Sequence, residues 1–90
     1  MKKYARRCDV TGKGMNEGWC WGDGAFYTKT KKDTVAELRK YNPSKSDLYD
    51  NYLIEWAVEE EEMLYWTQWY TEDIDEQGYY YTEDGEEIEI

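Results

Sequence analysis

No histidine occurs anywhere in this chain, and no lysine or arginine lies beyond position 45. The first absence removes the imidazole base that would activate a cysteine or serine nucleophile. It also leaves Cys8 and Cys20 as the only Cys or His side chains that a structural zinc site could use. Two cysteines close one loop at most, so a disulfide framework is excluded and reduced thiols are expected. No stretch approaches the roughly 20 apolar residues of a membrane span. No apolar run follows Met1-Lys2-Lys3, so the sequence predicts a cytoplasmic protein without a membrane partner. Leu, Ile, Val and Phe supply only 12 of 90 residues and the net charge is -10, values that by themselves point toward disorder. Ten Tyr and five Trp oppose that reading, because large rings bury much apolar surface each. A folded domain with a core of aromatic rings is expected, least ordered at its two ends.

Charge divides the chain in two. Residues 1–45 hold eleven Lys and Arg against five acids, a charge of +6, whereas residues 46–90 hold sixteen acids and no Lys or Arg, a charge of -16. Such a division creates a strong field, repulsion within the acidic half and attraction between the halves.

Glycine punctuates the first third. Cys8–Thr11, Trp19–Trp21 and Ala25–Thr28 read as strands of an antiparallel meander, with turns at Gly12–Gly14 and Gly22–Gly24. Thr30 or Asp33 caps a short helix that runs to about Tyr41 and stops at Asn42-Pro43. Ser44 and Asp47 resemble a capping box before the main helix, near 46–60, where Tyr49, Tyr52, Leu53 and Trp56 recur at helical spacing. Residues 63–70 fit helix or strand equally. Tyr79–Thr82 and Glu86–Ile90 flank Glu83-Asp84-Gly85 as a hairpin. Tyr-Thr-Glu-Asp occurs at 70–73 and again at 81–84, which suggests two strand-into-turn units.

Candidate sites follow from these residues. Cys8–Gly12 has the outline of a zinc knuckle with Thr11 in place of the second cysteine, but structural zinc wants four Cys or His ligands. Asp73–Gly78 has oxygen ligands at alternate positions and a glycine at the sixth, like the start of an EF-hand loop. Its fifth position is the neutral Gln77, and an acid-lined turn accounts for it more simply. No phosphate-binding loop or dinucleotide fingerprint is present, and no carboxylate pair stands out in an apolar setting. The sequence therefore predicts no cofactor, no metal and no enzyme. Lys2, Lys3, Arg6 and Arg7, with Lys29, Lys31 and Lys32, form a candidate basic patch beside Tyr4, Trp19 and Trp21, suited to single-stranded nucleic acid. The net negative charge opposes that.

The preferred reading is an α+β single domain spanning residues 1–90. Antiparallel sheet from the N-terminal meander and C-terminal hairpin packs against one main and one short helix. Its expected core is Val10, Trp21, Phe26, Val35, Leu38, Tyr52, Leu53, Trp56, Met63, Trp66, Tyr80 and Ile88. Function is assigned to the acidic, aromatic-rich second half as a non-enzymatic protein-binding surface. The candidate contact residues are Glu59, Glu60, Glu61, Glu62, Tyr65, Trp69, Glu72, Asp73, Asp75 and Glu76. The partner would be a basic protein, in the narrower form a nucleic-acid-binding protein inhibited by a DNA mimic of the phage or mobile-element kind. The alternative is a nucleic-acid-binding module using the basic half. Salt-sensitive self-association, basic half against acidic half, is a third possibility.

Overall fold

The computed structural model describes residues 2–90. Trp19-Cys20-Trp21, flanked by glycines, lies in the central strand of the main sheet. The chain first forms a small pair, β1 (Arg6–Arg7) with β2 (Gly14–Met15). It then enters β3 (Glu17–Trp21), turns through residues 22–25 and returns as β4 (Phe26–Thr28). The opposite flank of β3 is taken by β5 (Leu64–Gln68), so the main sheet has the order β4-β3-β5 and is antiparallel throughout. Residues 63–70, ambiguous by pattern, are thus mainly strand. A C-terminal hairpin joins β6 (Tyr79–Tyr81) to β7 (Glu87–Glu89).

Two helices lie between β4 and β5. Helix α1 (Lys31–Tyr41) starts where Thr30 Oγ1 accepts from the Asp33 N–H at 3.1 Å. It ends where Asn42 donates to the Leu38 carbonyl ahead of Pro43, as a breaker at that position requires. Helix α2 (Asp50–Glu55) continues directly into a π turn, Trp56–Glu60. A third helix, α3 (Thr71–Gln77), follows β5 and stops at Gly78, whose φ of +86° suits glycine. The α+β class is therefore observed. The most regular helix is α1, not the segment at 46–60, and Ser44 caps nothing, because Pro43–Lys45 forms a single 3₁₀ turn.

Several expected elements take other forms. Cys8–Thr11 is a turn closed by Gly12 N–H donating to the Cys8 carbonyl. Asp73–Gln77 is helical, so the EF-hand-like residues form no loop and the first Tyr-Thr-Glu-Asp copy opens a helix. The second copy does run from strand into turn. The chain ends are pinned together: Tyr4 and Tyr81 exchange two backbone hydrogen bonds of 3.0 and 2.7 Å.

The core is aliphatic. Val35, Leu38, Leu53, Ala57 and Leu64 form one buried cluster between the helices and one face of the main sheet. Ala5, Cys8, Met15, Cys20 and Ile74 are buried outside this cluster. No aromatic side chain is fully buried. Val10, Tyr52 and Trp66, expected inside, are 40%, 62% and 48% exposed. Rings this large serve as half-covered walls around small aliphatic residues, because the domain has too little volume to enclose them. Sheet and helix are also joined by a buried polar relay. Trp21 Nε1 donates to Thr28 Oγ1 at 2.9 Å, the Thr28 and Thr34 hydroxyls lie 2.6 Å apart, and Thr34 Oγ1 donates to the Thr30 carbonyl. Each buried hydroxyl is thereby satisfied, which removes the cost of burying it.

Candidate functional site

The proposed contact residues fall into two acidic groups separated by β5. Glu59 and Glu60 lie on the π turn, and Glu61 and Glu62 immediately follow it; all four are exposed. Glu62 has a φ of +50°, which turns the chain out of its helical path toward β5. Glu72, Asp75 and Glu76 are exposed on α3, at the other end of the strand. Five extended residues span roughly 17 Å, so the fold sets the groups at opposite ends of β5 instead of merging them.

Two predicted contact residues are otherwise engaged. Asp73 is a capping group: its Oδ2 accepts from the Tyr70 N–H at 2.8 Å. Trp69 is half-buried, with Arg6 lying 5.3 Å from its ring centre and Tyr27 packed edge-on against it at 5.5 Å. Its place one residue past β5, where its N–H still donates to the Asn16 carbonyl, explains this. Alternation puts Trp69 on the same sheet face as Tyr65 and Thr67, and the N-terminal arm crosses that face at Trp69.

Tyr65 is exposed, as expected. The Cys20 thiol, its partner across the β3–β5 ladder, raises the phenol pKa, and desolvation adds to the effect. Trp66, Tyr70, Tyr49 and Tyr52 are further exposed rings that sequence reasoning did not assign to the surface site. Tyr49 and Tyr52 fit a helical stripe, but the buried face of α2 and the π turn is centred on Leu53 and Ala57, one position round. Together with Trp56, Leu48 and Lys45, Tyr52, Glu59 and Glu60 line a shallow groove of about 320 Å³. Lys45 Nζ lies 5.4 Å from the Trp56 ring centre there, an arrangement in which a cation is attracted to the ring face.

The basic half is arranged very differently. Lys3 sits over Tyr80, Arg7 over Tyr81 and Arg6 over Trp69, all rings of the acidic half. Arg6 also donates to Gln77, and Arg7 to the Gly85 carbonyl at 3.0 Å. Trp19 and Trp21 pack against the aliphatic cluster, away from this arm, so the basic residues and these two rings do not form one patch. Only two ion pairs occur among the described residues, Lys13–Asp84 at 3.2 Å and Arg39–Asp50 at 2.8 Å.

Cys8 and Cys20 are buried free thiols. No group of three or more Cys, Asp or Glu side chains among the described residues is placed to hold a metal ion. No helix among the described residues is long and apolar enough to cross a membrane. Compared with protein-family models, with curated proteins and with solved structures, the chain has no significant match to any of them.

Proposed function

We propose that this protein is a non-enzymatic interaction module whose acidic surface, set with exposed rings, binds a basic protein. The observation that carries the reading is the state of the carboxylates. Of the sixteen acids in residues 46–90, only Asp50 and Asp84 form ion pairs with a described residue. Lys3, Arg6 and Arg7, the cations nearest the acidic half at the chain ends, lie over aromatic rings or donate to carbonyls instead. A large negative field is therefore left facing solvent, which accelerates encounter with a positive partner. Tyr65, Trp66, Tyr70, Tyr49 and Tyr52 stand exposed near these acids as amphipathic anchors of the kind that dominate interface energetics. A protein with a basic nucleic-acid groove is the narrower partner class, since unpaired carboxylates offer it the charge of a phosphate backbone.

Reversing Glu60 and Glu61 together to lysine tests the reading. Both are exposed, Glu60 at the end of the π turn and Glu61 just after it, so the fold should be retained. Affinity capture from lysate, with nuclease and at low and moderate salt, should recover a basic protein with the native chain and lose it with the reversed one. Recovery of nucleic acid, with every protein lost after nuclease treatment, would overturn the proposal and move function to the basic half. Salt-sensitive oligomers of the chain with no other protein would replace it with self-association.

A further inference from the structure

The two edges of the main sheet are finished in opposite ways. At the β4 edge, the outward groups of Tyr27 are both taken by Asp9: its N–H donates to the Tyr27 carbonyl at 2.9 Å, and its carboxylate accepts from the Tyr27 N–H at 2.7 Å. That edge is closed. On β5, the hydrogen bonds from Trp69 N–H to Asn16 and from Gly22 N–H to Met63 set the phase of the ladder. Alternation then directs Tyr65 and Thr67 toward β3, and Leu64, Trp66 and Gln68 away from it. Leu64 is only 2% exposed, so its backbone is shielded. Trp66 and Gln68 are exposed residues, and among the described residues β5 has no strand partner besides β3. The one contact on their outward groups is a long 3.4 Å approach of Thr67 Oγ1 to the Gln68 carbonyl.

Open edges are usually blunted by lysine, proline or a bulge. This one carries none of them: its sequence is Leu-Tyr-Trp-Thr-Gln, with rings exposed on both sheet faces at Tyr65 and Trp66. Acids flank it at both ends, Glu59–Glu62 before it and Glu72, Asp75 and Glu76 after it. We infer that the β5 edge takes up an extended, lysine- or arginine-bearing segment of the partner as an added strand. The inference rests on the acidic-surface reading above and gives it a mode of binding. The partner's backbone would pair with Trp66 and Gln68, its alternate side chains would lie against Tyr65 and Trp66, and its cations would reach the acids beyond either end. A second copy of this chain fits less well. Antiparallel pairing of two β5 edges about Trp66 would bring the Glu59–Glu62 group of one copy toward the α3 acids of the other, and each copy already carries a net charge of -10.

The test uses an octapeptide alternating lysine and valine as probe, with Gln68→Pro and Gln68→Ala variants of the full chain. Proline removes an N–H that points away from β3, a position where a strand tolerates it, and neither variant changes the charge. The expected result is peptide binding to Gln68→Ala at least about tenfold tighter than to Gln68→Pro. In the native chain, peptide should slow amide exchange at Trp66 and Gln68, which does not depend on how the proline variant folds. Peptide binding with those two amides unprotected would overturn strand addition and leave the acidic-surface reading standing. Equal affinity for a threonine–valine octapeptide would overturn the requirement for a basic segment. Protection of the two amides that rises with protein concentration, without peptide, would assign the edge to a second copy. No binding at millimolar peptide overturns strand addition by a basic segment outright.

Discussion

The two ends of this elongated molecule, 44 Å along its longest axis, are held together by different physics. At one, Val35, Leu38, Leu53, Ala57 and Leu64 bury aliphatic surface between α1, α2 and the main sheet, all within 30 positions of one another. At the other, the partners stand 71 to 78 positions apart: Arg6 with Gln77, Arg7 with Gly85, Lys13 with Asp84. There the contacts are cations over rings, hydrogen bonds to carbonyls and the Tyr4–Tyr81 backbone pair. The clasp thus uses the opposite charge of the two halves without neutralising it. Apart from the Lys13–Asp84 pair, its cations rest on the ring faces of the acidic half or donate to carbonyls, which leaves the other carboxylates there for a partner.

Removing aliphatic volume should have the largest effect. Leu53 is fully buried in the cluster, and Leu53→Ala should cost about 3–4 kcal/mol, a large share of what a small domain possesses. Urea denaturation followed by circular dichroism measures it. A cost below about 1 kcal/mol would mean that the aliphatic end does not dominate stability. The clasp is broken more selectively at Gly85. Its φ is +88°, and a Cβ there would overlap the Gly12 carbonyl oxygen and approach Arg7 Cδ to 3.0 Å. Gly85→Ala should cost about 2 kcal/mol. Amide exchange should quicken first at Tyr4, Tyr81 and Thr82, whose N–H groups donate to Tyr81, Tyr4 and Glu86, with the α1 amides much less affected. Uniform acceleration would show instead that the two ends open as one unit.

The same division explains what could be read from sequence. Thr30 as cap, Asn42-Pro43 as stop and Val35/Leu38 as buried stripe are local signals, and all three stand in the structure. So does the C-terminal hairpin around Gly85. The clasp was illegible because nothing local in Lys2–Arg7 or Tyr79–Tyr81 announces a partner more than 70 positions away. The cover over Trp69 was hidden for that reason: just past the end of β5 it is strand-like and polar-flanked, and Arg6 and Tyr27 reach it from distant parts of the chain. Met15 and Ile74, isolated apolar residues in polar stretches, were missed as core residues on the same account. Of the candidate contact residues, the exposed glutamates were legible from charge alone, whereas the open edge beside them needed the β3–β5 pairing to be known.

The smallest effect separates the two ends by pH. Tyr81, in the clasp, has its phenol pKa raised above 10.0, first by burial and then by Tyr79 and Glu87, while Arg7 opposes the shift. The folded state therefore holds the phenol proton more tightly than the unfolded chain does. The stability linked to it is fully present below the unfolded value of 10.0 and is lost as pH rises through the higher folded value. Tyr81→Phe keeps the ring under Arg7 and removes the titration. Below pH 10 the variant should differ from the native chain by a small, constant amount, reflecting the 3.4 Å contact of the Tyr81 hydroxyl with Glu87. Above it, the native chain should lose stability more steeply with pH than the variant, measured as urea midpoints. Parallel curves through the alkaline range would mean that Arg7 compensates the ionised phenolate fully, so that the clasp can exchange a cation–ring contact for an ion pair at no net cost.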